Sequence, residues 1–426
     1  MQHARRVNRV SQRKNLGIRS LRQAAAVLVL LVAAAPALAQ TFERVANDRT
    51  PVPGSSATFE SFSDARVLDG ERVVFHAFDS VGGEGIYLYE NGALSVLVDN
   101  DSIVPGTSDR FERFFDVATS DTKVVFTASW GLSRGLGSSF EGAFSTTVNG
   151  GSIEEIASSV SLPQGQFQSA AVAGDLVVLT ASVDPPTESR TRHESLLLSR
   201  RPGHVVTALT LDTPRPDGDT FRGYRSELTI RNGQLLFAEG ARQFGDIATG
   251  IFTIGSRATG PVLVADRTTR APRELGNDFE GFASFDSDGE EIAFAGRVST
   301  FRFGLYAGTS PNDLRAIVAP FRTRIFEGGP RFTSVHRSMS YREGVVVFGG
   351  DWDVDDTGEI RGEGVFAAEK GDVIRALVKQ GDIVDGNWVW RADCQPQGNG
   401  ERTALLRMDF SRRLQDTQEG LYIVEW

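Results

Sequence analysis

A short apolar pattern recurs seven times along the chain and predicts seven similar units. Each copy has three consecutive apolar residues, and the last residues of successive copies lie 51 to 58 positions apart. Each copy comes shortly after a turn signal. Asn232-Gly233 and Asp288-Gly289 are examples, and such pairs are typical of tight hairpins. The seven triplets are Val73–Phe75, Val124–Phe126, Val177–Leu179, Leu235–Phe237, Ile292–Phe294, Val346–Phe348 and Ala404–Leu406.

Each unit carries signals for four short strands. After the triplet a second strand opens with Gly in most units, as at Gly85 and Gly304, and a third apolar strand runs into a loop. An aromatic residue opens the next unit; these residues are Phe59, Phe111, Phe167, Phe221, Phe279, Phe332 and Trp388. No segment shows sustained 3.6-residue amphipathicity, so few helices are expected. The pattern predicts an all-β fold, a seven-bladed β-propeller of four-stranded antiparallel blades.

The seventh unit stops one strand short, after Gly420–Val424. The N-terminal segment 41–54 resembles the end of another unit, 98–106, and both segments end in Pro-Gly. We therefore expect the N-terminal strand, residues 41–46, to close the last blade by hydrogen bonds. One domain of residues 40–426 is expected, with blades at 55–106, 107–165, 166–218, 219–276, 277–329, 330–386, and 387–426 plus 40–54.

Residues 1–39 have the features of a secretory signal peptide. They contain seven basic and no acidic residues, then an apolar run over 24–35 and the tripeptide Ala37-Leu38-Ala39. The apolar run is too short for a permanent membrane anchor. We expect cleavage before Gln40, export to the bacterial periplasm or the exterior, and no transmembrane segment after removal of the signal.

The charge balance excludes one class of partner. The full chain carries −10 at pH 7, and without its basic N-terminal segment it is more acidic still. Nucleic acids and anionic lipid surfaces need a basic footprint, so neither is expected as a partner. The single cysteine, Cys394, excludes an intramolecular disulfide and is expected to be a buried, inert thiol. A monomer is expected.

The segment Phe285–Phe294 resembles the strand–turn–strand of TolB-type propeller repeats. The fuller pattern of opening aromatic, Asp-Gly turn, Val-Val-Phe, Gly-Ile-Tyr and Pro-Gly resembles more closely an uncharacterised family of secreted bacterial propeller-repeat proteins. The resemblance spans essentially the whole chain after residue 39. It implies the fold and export but no reaction, because fold analogy is a poor guide to function.

A polar column at the predicted channel mouth is the first candidate site. The residues that directly follow the opening aromatics are Glu60, Glu112, Gln168, Arg222, Glu280, Thr333 and Val389. If the column faces the channel, its acids and Arg222 form a mouth that binds a small ligand or a cation, with His336 on a first strand nearby. The competing interpretation turns the aromatics to the channel and packs the column between blades, its acids paired with Arg.

The densest group of carboxylates, Asp351–Glu359, is the second candidate site. Alternating carboxylates at Asp351, Asp353 and Asp355, with Glu359 after a Gly, can wrap oxygen ligands around Ca²⁺. Carboxylates this close repel one another, which favours either a bound cation or a solvated acidic loop. Calcium is the one cofactor that the sequence suggests, and the solvated loop is the alternative.

No nucleophile–base or acid–base constellation emerges, so no catalytic residue is assigned. The leading hypothesis is an exported, non-catalytic binding or scaffold propeller whose ligand is a protein or a glycan. Trp388 and Trp390 either form a stacking platform for sugars or fill the junction between blades. The alternative is a carboxylate-dependent, calcium-assisted hydrolase or lyase at the channel mouth, which requires acids from different blades to converge there.

Overall fold

A computed structural model describes most of the chain after the N-terminal segment. The described residues are 40–68, 72–131, 139–162, 165–183, 193–240, 247–255, 260–274, 276–299, 302–327, 329–353, 361–369, 373–399, 402–411 and 417–426. Within these ranges every regular element is a β-strand. The predicted signal peptide lies outside the described residues.

Six antiparallel sheets follow the chain, each with four strands that are consecutive in sequence. Blades one to three are formed by β2 (Phe59–Val67), β3 (Val73–Asp79), β4 (Glu84–Glu90), β5 (Ala93–Asp99), β6 (Phe111–Thr119), β7 (Lys123–Trp130), β8 (Phe140–Thr147), β9 (Glu154–Ser158), β10 (Gly165–Ala173), β11 (Leu176–Val183), β12 (His193–Arg201) and β13 (His204–Thr210). Blades four to six are formed by β14 (Tyr224–Arg231), β15 (Gln234–Glu239), β16 (Gly250–Gly255), β17 (Val262–Asp266), β18 (Gly281–Ser287), β19 (Ile292–Ser299), β20 (Arg302–Gly308), β21 (Arg315–Val318), β22 (Phe332–Arg342), β23 (Val345–Asp353), β24 (Arg361–Glu369) and β25 (Val373–Lys379).

The seventh blade joins the two ends of the chain. Its strands are β27 (Asn387–Asn399), β28 (Thr403–Ser411), β29 (Thr417–Glu425) and the N-terminal β1 (Thr41–Asn47), with the two-residue β26 (Ile383–Val384) against β27. β1 pairs with β29, and the backbone N–H of Asp48 donates to the carbonyl of Glu419 at 3.1 Å. The predicted seven-bladed propeller, with its first strand in the last blade, is confirmed.

The hydrophobic core lies between consecutive blades. The innermost strands contact one another around the ring, and β27 of blade seven contacts β2 of blade one. Phe59 and Phe75 of blade one share one buried cluster with Leu405 and Leu421 of blade seven. Because each blade buries its faces only against its neighbours, ring closure is needed for a complete core.

The opening aromatics face this core. The ring centroid of Phe59 lies 4.9 Å from that of Tyr87, and the centroid of Phe279 lies 4.8 Å from that of Tyr306. Both pairs meet edge to face, a favoured geometry for aromatic rings. The interpretation that turns these aromatics toward the channel is therefore wrong.

In blade seven the opening position belongs to Val389 and not to Trp388. Val389 pairs with Phe410 at the point of the ladder where Phe332 pairs with Trp352 in blade six. Val389 is fully buried, whereas Trp388 is 61% exposed. The prediction of Trp388 as the opening aromatic was wrong by one residue, because only the register of the ladder distinguishes the two.

Candidate functional site

The register of the inner strands identifies the residues that line the central channel. In every blade one inner-strand residue pairs with the last residue of the apolar triplet, as Ala65 pairs with Phe75 and Cys394 with Leu406. The residue before it lines the channel. In chain order these residues are Asp64, Asp116, Ser169, Glu227, Ser284, Ser338 and Asp393, which we call the acidic layer.

All seven residues of the acidic layer line the central channel. Its part between blades one and six is a cavity of about 350 Å³, and the part along blades six, seven and one has about 530 Å³. Four of the seven side chains are acids, and they come from blades one, two, four and seven. Acids from different blades therefore converge on one channel.

Asp116 is held between two blades. Its Oδ2 accepts a hydrogen bond from the backbone N–H of Ala170 in blade three at 2.8 Å, and its Oδ1 accepts one from the N–H of Val117 at 3.0 Å. Burial and the negative charge of Asp64 raise the pKa of Asp116 to about 7, although Arg66 and the two hydrogen bonds oppose the shift. Near neutral pH this carboxyl group can therefore donate or accept a proton.

Asp286 lies two residues after Ser284 of the acidic layer, and therefore on the same side of the strand. Its carboxylate accepts hydrogen bonds from the backbone N–H of Tyr341 at 2.9 Å and of Ser287 at 2.8 Å. Burial raises the pKa of Asp286, against the opposing charge of Arg231 and the two hydrogen bonds. Like Asp116, it joins two neighbouring blades at the channel wall.

Several donors in the channel wall face the acids. Arg66 lies 3.9 Å from Asp64 and donates to its neighbouring carbonyl, that of Ala65, at 3.1 Å. The Nε atom of Arg66 and the Oγ atom of Ser284 are buried and have no hydrogen-bond partner among the described residues. Buried polar groups in proteins are nearly always paired, so two open positions in one cavity indicate room for a polar ligand or for water.

His336 joins blades six and seven at the edge of the second cavity. Its Nε2 lies 3.0 Å from Asp351 Oδ1, and its Nδ1 lies 3.3 Å from Asp393 Oδ1. Burial by itself lowers the pKa of His336, but the hydrogen bonds to the two carboxylates outweigh it and raise the pKa to about 9. Arg391 Nε, at 3.0 Å, and Arg407 Nη2, at 3.7 Å, hold the other oxygen of Asp393.

One group of described residues could hold a metal ion. His336, Asp351 and Glu363 each offer one ligand atom, and these atoms lie within 4.8 Å of one another. Asp351 and Asp353 lie within the last three residues of β23. Asp355 and Glu359, the other predicted calcium ligands, lie outside the described residues, so the calcium site stays a prediction.

The predicted channel-mouth residues do not form one site in the structure. His336 lines the second cavity, whereas Glu60, Arg222 and Glu280 are exposed, Glu112 is half-buried, and none of these four lines either described cavity. Glu280 lies 3.2 Å from Arg297 of its own blade. Of the whole column, only Gln168 lines the channel.

Sequence reasoning missed the acidic layer because it counted from the opening aromatics. Irregularities in the inner ladders, such as those between Phe62 and Ala65 and between Tyr224 and Leu228, change the count from blade to blade. Counting back from the apolar triplet across the hairpin would have found Asp64 and Asp116, because the ladder next to the turn is regular there.

Two tryptophans are exposed on β27, which also contributes residues to the second cavity. Trp388 and Trp390 are 61% and 54% exposed on β27, and the next residue, Arg391, lines the cavity. Trp130 and Trp352 are buried. The interpretation in which Trp388 and Trp390 fill the junction between blades is therefore wrong.

No family model and no curated protein matches this chain. Among solved structures, the acylaminoacyl peptidase of Pyrococcus horikoshii is 10% identical over 85% of this chain and 50% of that chain, with a TM-score of 0.50. A prolyl endopeptidase structure is 12% identical over 87% and 50%, with a TM-score of 0.47. The periplasmic gluconolactonase of Pseudomonas aeruginosa is 12% identical over 86% and 96%, with a TM-score of 0.36.

These comparisons support the fold alone. The solved structures have propeller-type folds, and they do not single out the TolB type that the repeat pattern resembles. This chain spans about half the length of the two peptidases. In the described part of the chain no helix has the length and apolarity to cross a bilayer.

Proposed function

We propose that this protein is an exported binding propeller that holds a glycan at the blade-seven side of its channel. The observation that carries the proposal is the exposed pair Trp388 and Trp390 on β27, the strand whose Arg391 and Asp393 line a cavity of charged and polar side chains. Large exposed aromatics gathered on one segment are unusual on a free surface and indicate an interaction site. The predicted signal peptide supports export.

The cavity chemistry suits a hydroxyl-rich ligand. Asp64 and Asp393 supply acceptors, whereas Arg337, Arg391 and Arg407 supply donors. Because the acidic and basic side chains lie close together, the cavity wall offers both hydrogen-bond donors and hydrogen-bond acceptors, and their charges partly cancel. A sugar matches this mixture, because each hydroxyl both donates and accepts while the apolar face of the ring packs on an aromatic side chain.

The test is binding of the purified protein to a panel of immobilised polysaccharides and oligosaccharides, followed by titration of any ligand found. Trp388→Ala and Trp390→Ala should each weaken binding by about tenfold, since an aromatic contact contributes roughly 0.5–1.5 kcal/mol beyond its area. Phe326→Ala removes an exposed aromatic outside both cavities and is the matched control. Absence of any glycan ligand, or equal affinity of the tryptophan variants, would overturn the proposal.

A second candidate function is a carboxylate-dependent hydrolase, and the observation that favours it is Asp116. A carboxyl group with a pKa of about 7 beside the carboxylate of Asp64 is the kind of pair that glycosidases use as acid and base. In such a reaction Asp116 would protonate the leaving-group oxygen while an ionised carboxylate activates water. Turnover of a glycoside panel that Asp116→Asn abolishes and Glu60→Gln retains would favour this function, whereas binding without turnover favours the first.

A further inference from the structure

We propose that His336, Asp351 and Glu363 form a site for a divalent transition-metal ion, Zn²⁺ or Mn²⁺, where blade six meets blade seven. The proposal does not depend on glycan binding. It also differs from the predicted calcium loop, because His336 and Glu363 lie outside the segment 351–359.

Three neighbouring strands bring the ligands together. His336 lies on β22, Asp351 on β23 and Glu363 on β24. Asp351 and Glu363 are direct partners in the ladder, and the Nε2 of His336 lies 3.0 Å from Asp351 Oδ1. Metal–ligand bonds of about 2.0–2.2 Å place adjacent ligand atoms about 3 Å apart, so the imidazole and the carboxylate already have the required separation.

Two of the three ligands are carboxylates that face each other across neighbouring strands. Like charges directly opposite each other on antiparallel strands are destabilising. An ion coordinated by both groups removes the repulsion and satisfies their oxygen atoms at once.

Asp393 and two arginines hold the imidazole in the orientation that a metal requires. The Nδ1 of His336 faces Asp393 at 3.3 Å, and Arg391 and Arg407 hold Asp393 in turn. A carboxylate that accepts a hydrogen bond from Nδ1 keeps the proton on that nitrogen. The other ring nitrogen, Nε2, is then the one that binds a metal. Gly349 lies against the imidazole. A Cβ at position 349 would overlap Nδ1 of His336, so only glycine at that position leaves room for the ring.

The donor set selects the class of metal. One imidazole nitrogen and two carboxylate oxygens suit Zn²⁺ or Mn²⁺, whereas Ca²⁺ prefers six to eight oxygen ligands. Three protein ligands leave coordination positions for water or for a ligand hydroxyl. Of the three ligands, His336 also lines the second cavity.

Calorimetric titration of the purified, tag-free and chelator-treated protein with ZnCl₂, and separately with MnCl₂, tests the site. We expect one saturable site per chain for at least one of the two ions. Glu363→Gln and His336→Gln should each weaken binding by at least about 100-fold, and Asp393→Asn by about 10- to 100-fold because it supports a ligand. Glu369→Gln is the matched control, since Glu369 lies at the far end of the strand that carries Glu363.

A spectroscopic titration separates loss of the site from loss of the fold. Co²⁺ bound through His336 should give a visible absorption band that Glu363→Gln diminishes while the circular dichroism spectrum and melting transition stay unchanged. Cys394→Ser should retain the band, because the thiol is buried and is not among the three ligands. The proposal is overturned if neither ZnCl₂ nor MnCl₂ saturates one site, or if binding survives Glu363→Gln and is lost in Glu369→Gln or Cys394→Ser.

Discussion

The carboxylate of Glu419 in blade seven accepts a hydrogen bond from the backbone N–H of Phe62 in blade one at 3.1 Å, across 357 positions of sequence. The N–H of Phe62 is available because the ladder between β2 and β3 shifts on both sides of this residue. The same relationship joins Glu84 to Phe114 at 3.0 Å and Glu194 to Tyr224 at 2.7 Å. A glutamate near the start of the third strand thus connects each of these blades to the next one.

Glu419→Ala should lower the free energy of unfolding by about 1–3 kcal/mol, because the N–H of the buried Phe62 loses its acceptor. Glu419→Gln keeps an oxygen at the same position and should cost less. Urea unfolding of the three proteins measures the difference, with Glu60→Ala, an exposed position, as the control. Equal stability of Glu419→Ala and the parent protein would show that this bond does not stabilise the ring.

A variant that lacks residues 40–54 should lose its single cooperative unfolding transition. β1 is the outer strand of blade seven, and Val45 and Val52 belong to the same core cluster as Phe59 and Leu405. Without this segment both the edge of the blade and part of that core become exposed. Differential scanning calorimetry measures the transition, with a protein that starts at Gln40 as the control. An unchanged melting profile of the shorter variant contradicts the role of β1 in closure.

Asp116 should contribute a fall in the stability of the protein as the pH rises from about 4 to about 7. The folded state raises the pKa of Asp116 to about 7, above the ordinary value near 4 that it has in the unfolded chain. Between these two pKa values the folded state binds more protons than the unfolded state. The free energy of unfolding therefore decreases as the pH rises from the lower pKa to the higher one. The contribution is on the order of 2 kcal/mol, since solvent in the channel screens it.

Urea unfolding of the parent protein and of Asp116→Asn at pH 4, 5.5 and 7 measures this contribution. The variant cannot ionise at this position, so its stability should change less over the same range even if it is lower throughout. Glu280→Gln, an exposed carboxylate paired with Arg297, serves as the control. Identical slopes for Asp116→Asn and the parent would contradict the raised pKa.

Calcium should raise the melting temperature if Asp351, Asp353, Asp355 and Glu359 bind it as the sequence predicts. A ligand present at 100 times its dissociation constant stabilises the folded state by about 2.7 kcal/mol. Thermal unfolding of chelator-treated protein with and without CaCl₂ measures the effect, with MgCl₂ as the control for ionic strength. Equal melting temperatures would leave this segment as a solvated acidic loop.

The number of blades, their strands and their closure could be predicted from the sequence because these features repeat. The apolar triplets and the hairpin turns depend on local backbone preferences, and a positive φ at Asn232 and Gly233, 48° and 73°, matches the turn predicted there. The missing strand of the seventh unit could be deduced by the same comparison of one repeat with another.

The channel wall could not be predicted, because it depends on the register of each ladder. A shift of one residue exchanges the two faces of a strand, and the inner strands contain irregularities at different positions in different blades. That is why the column from Glu60 to Val389 was considered and the acidic layer from Asp64 to Asp393 was not.

Sequence alone thus determined the repeating unit, its strand content and the way in which the ends of the chain meet. Tertiary structure decided which side chains share a site. Asp116 and Asp64 meet in one cavity, and His336 contacts Asp351 and Asp393, although these residues come from different blades or strands. Such contacts exist only after the ring has closed and each inner strand has taken its register, so no local pattern in the chain records them.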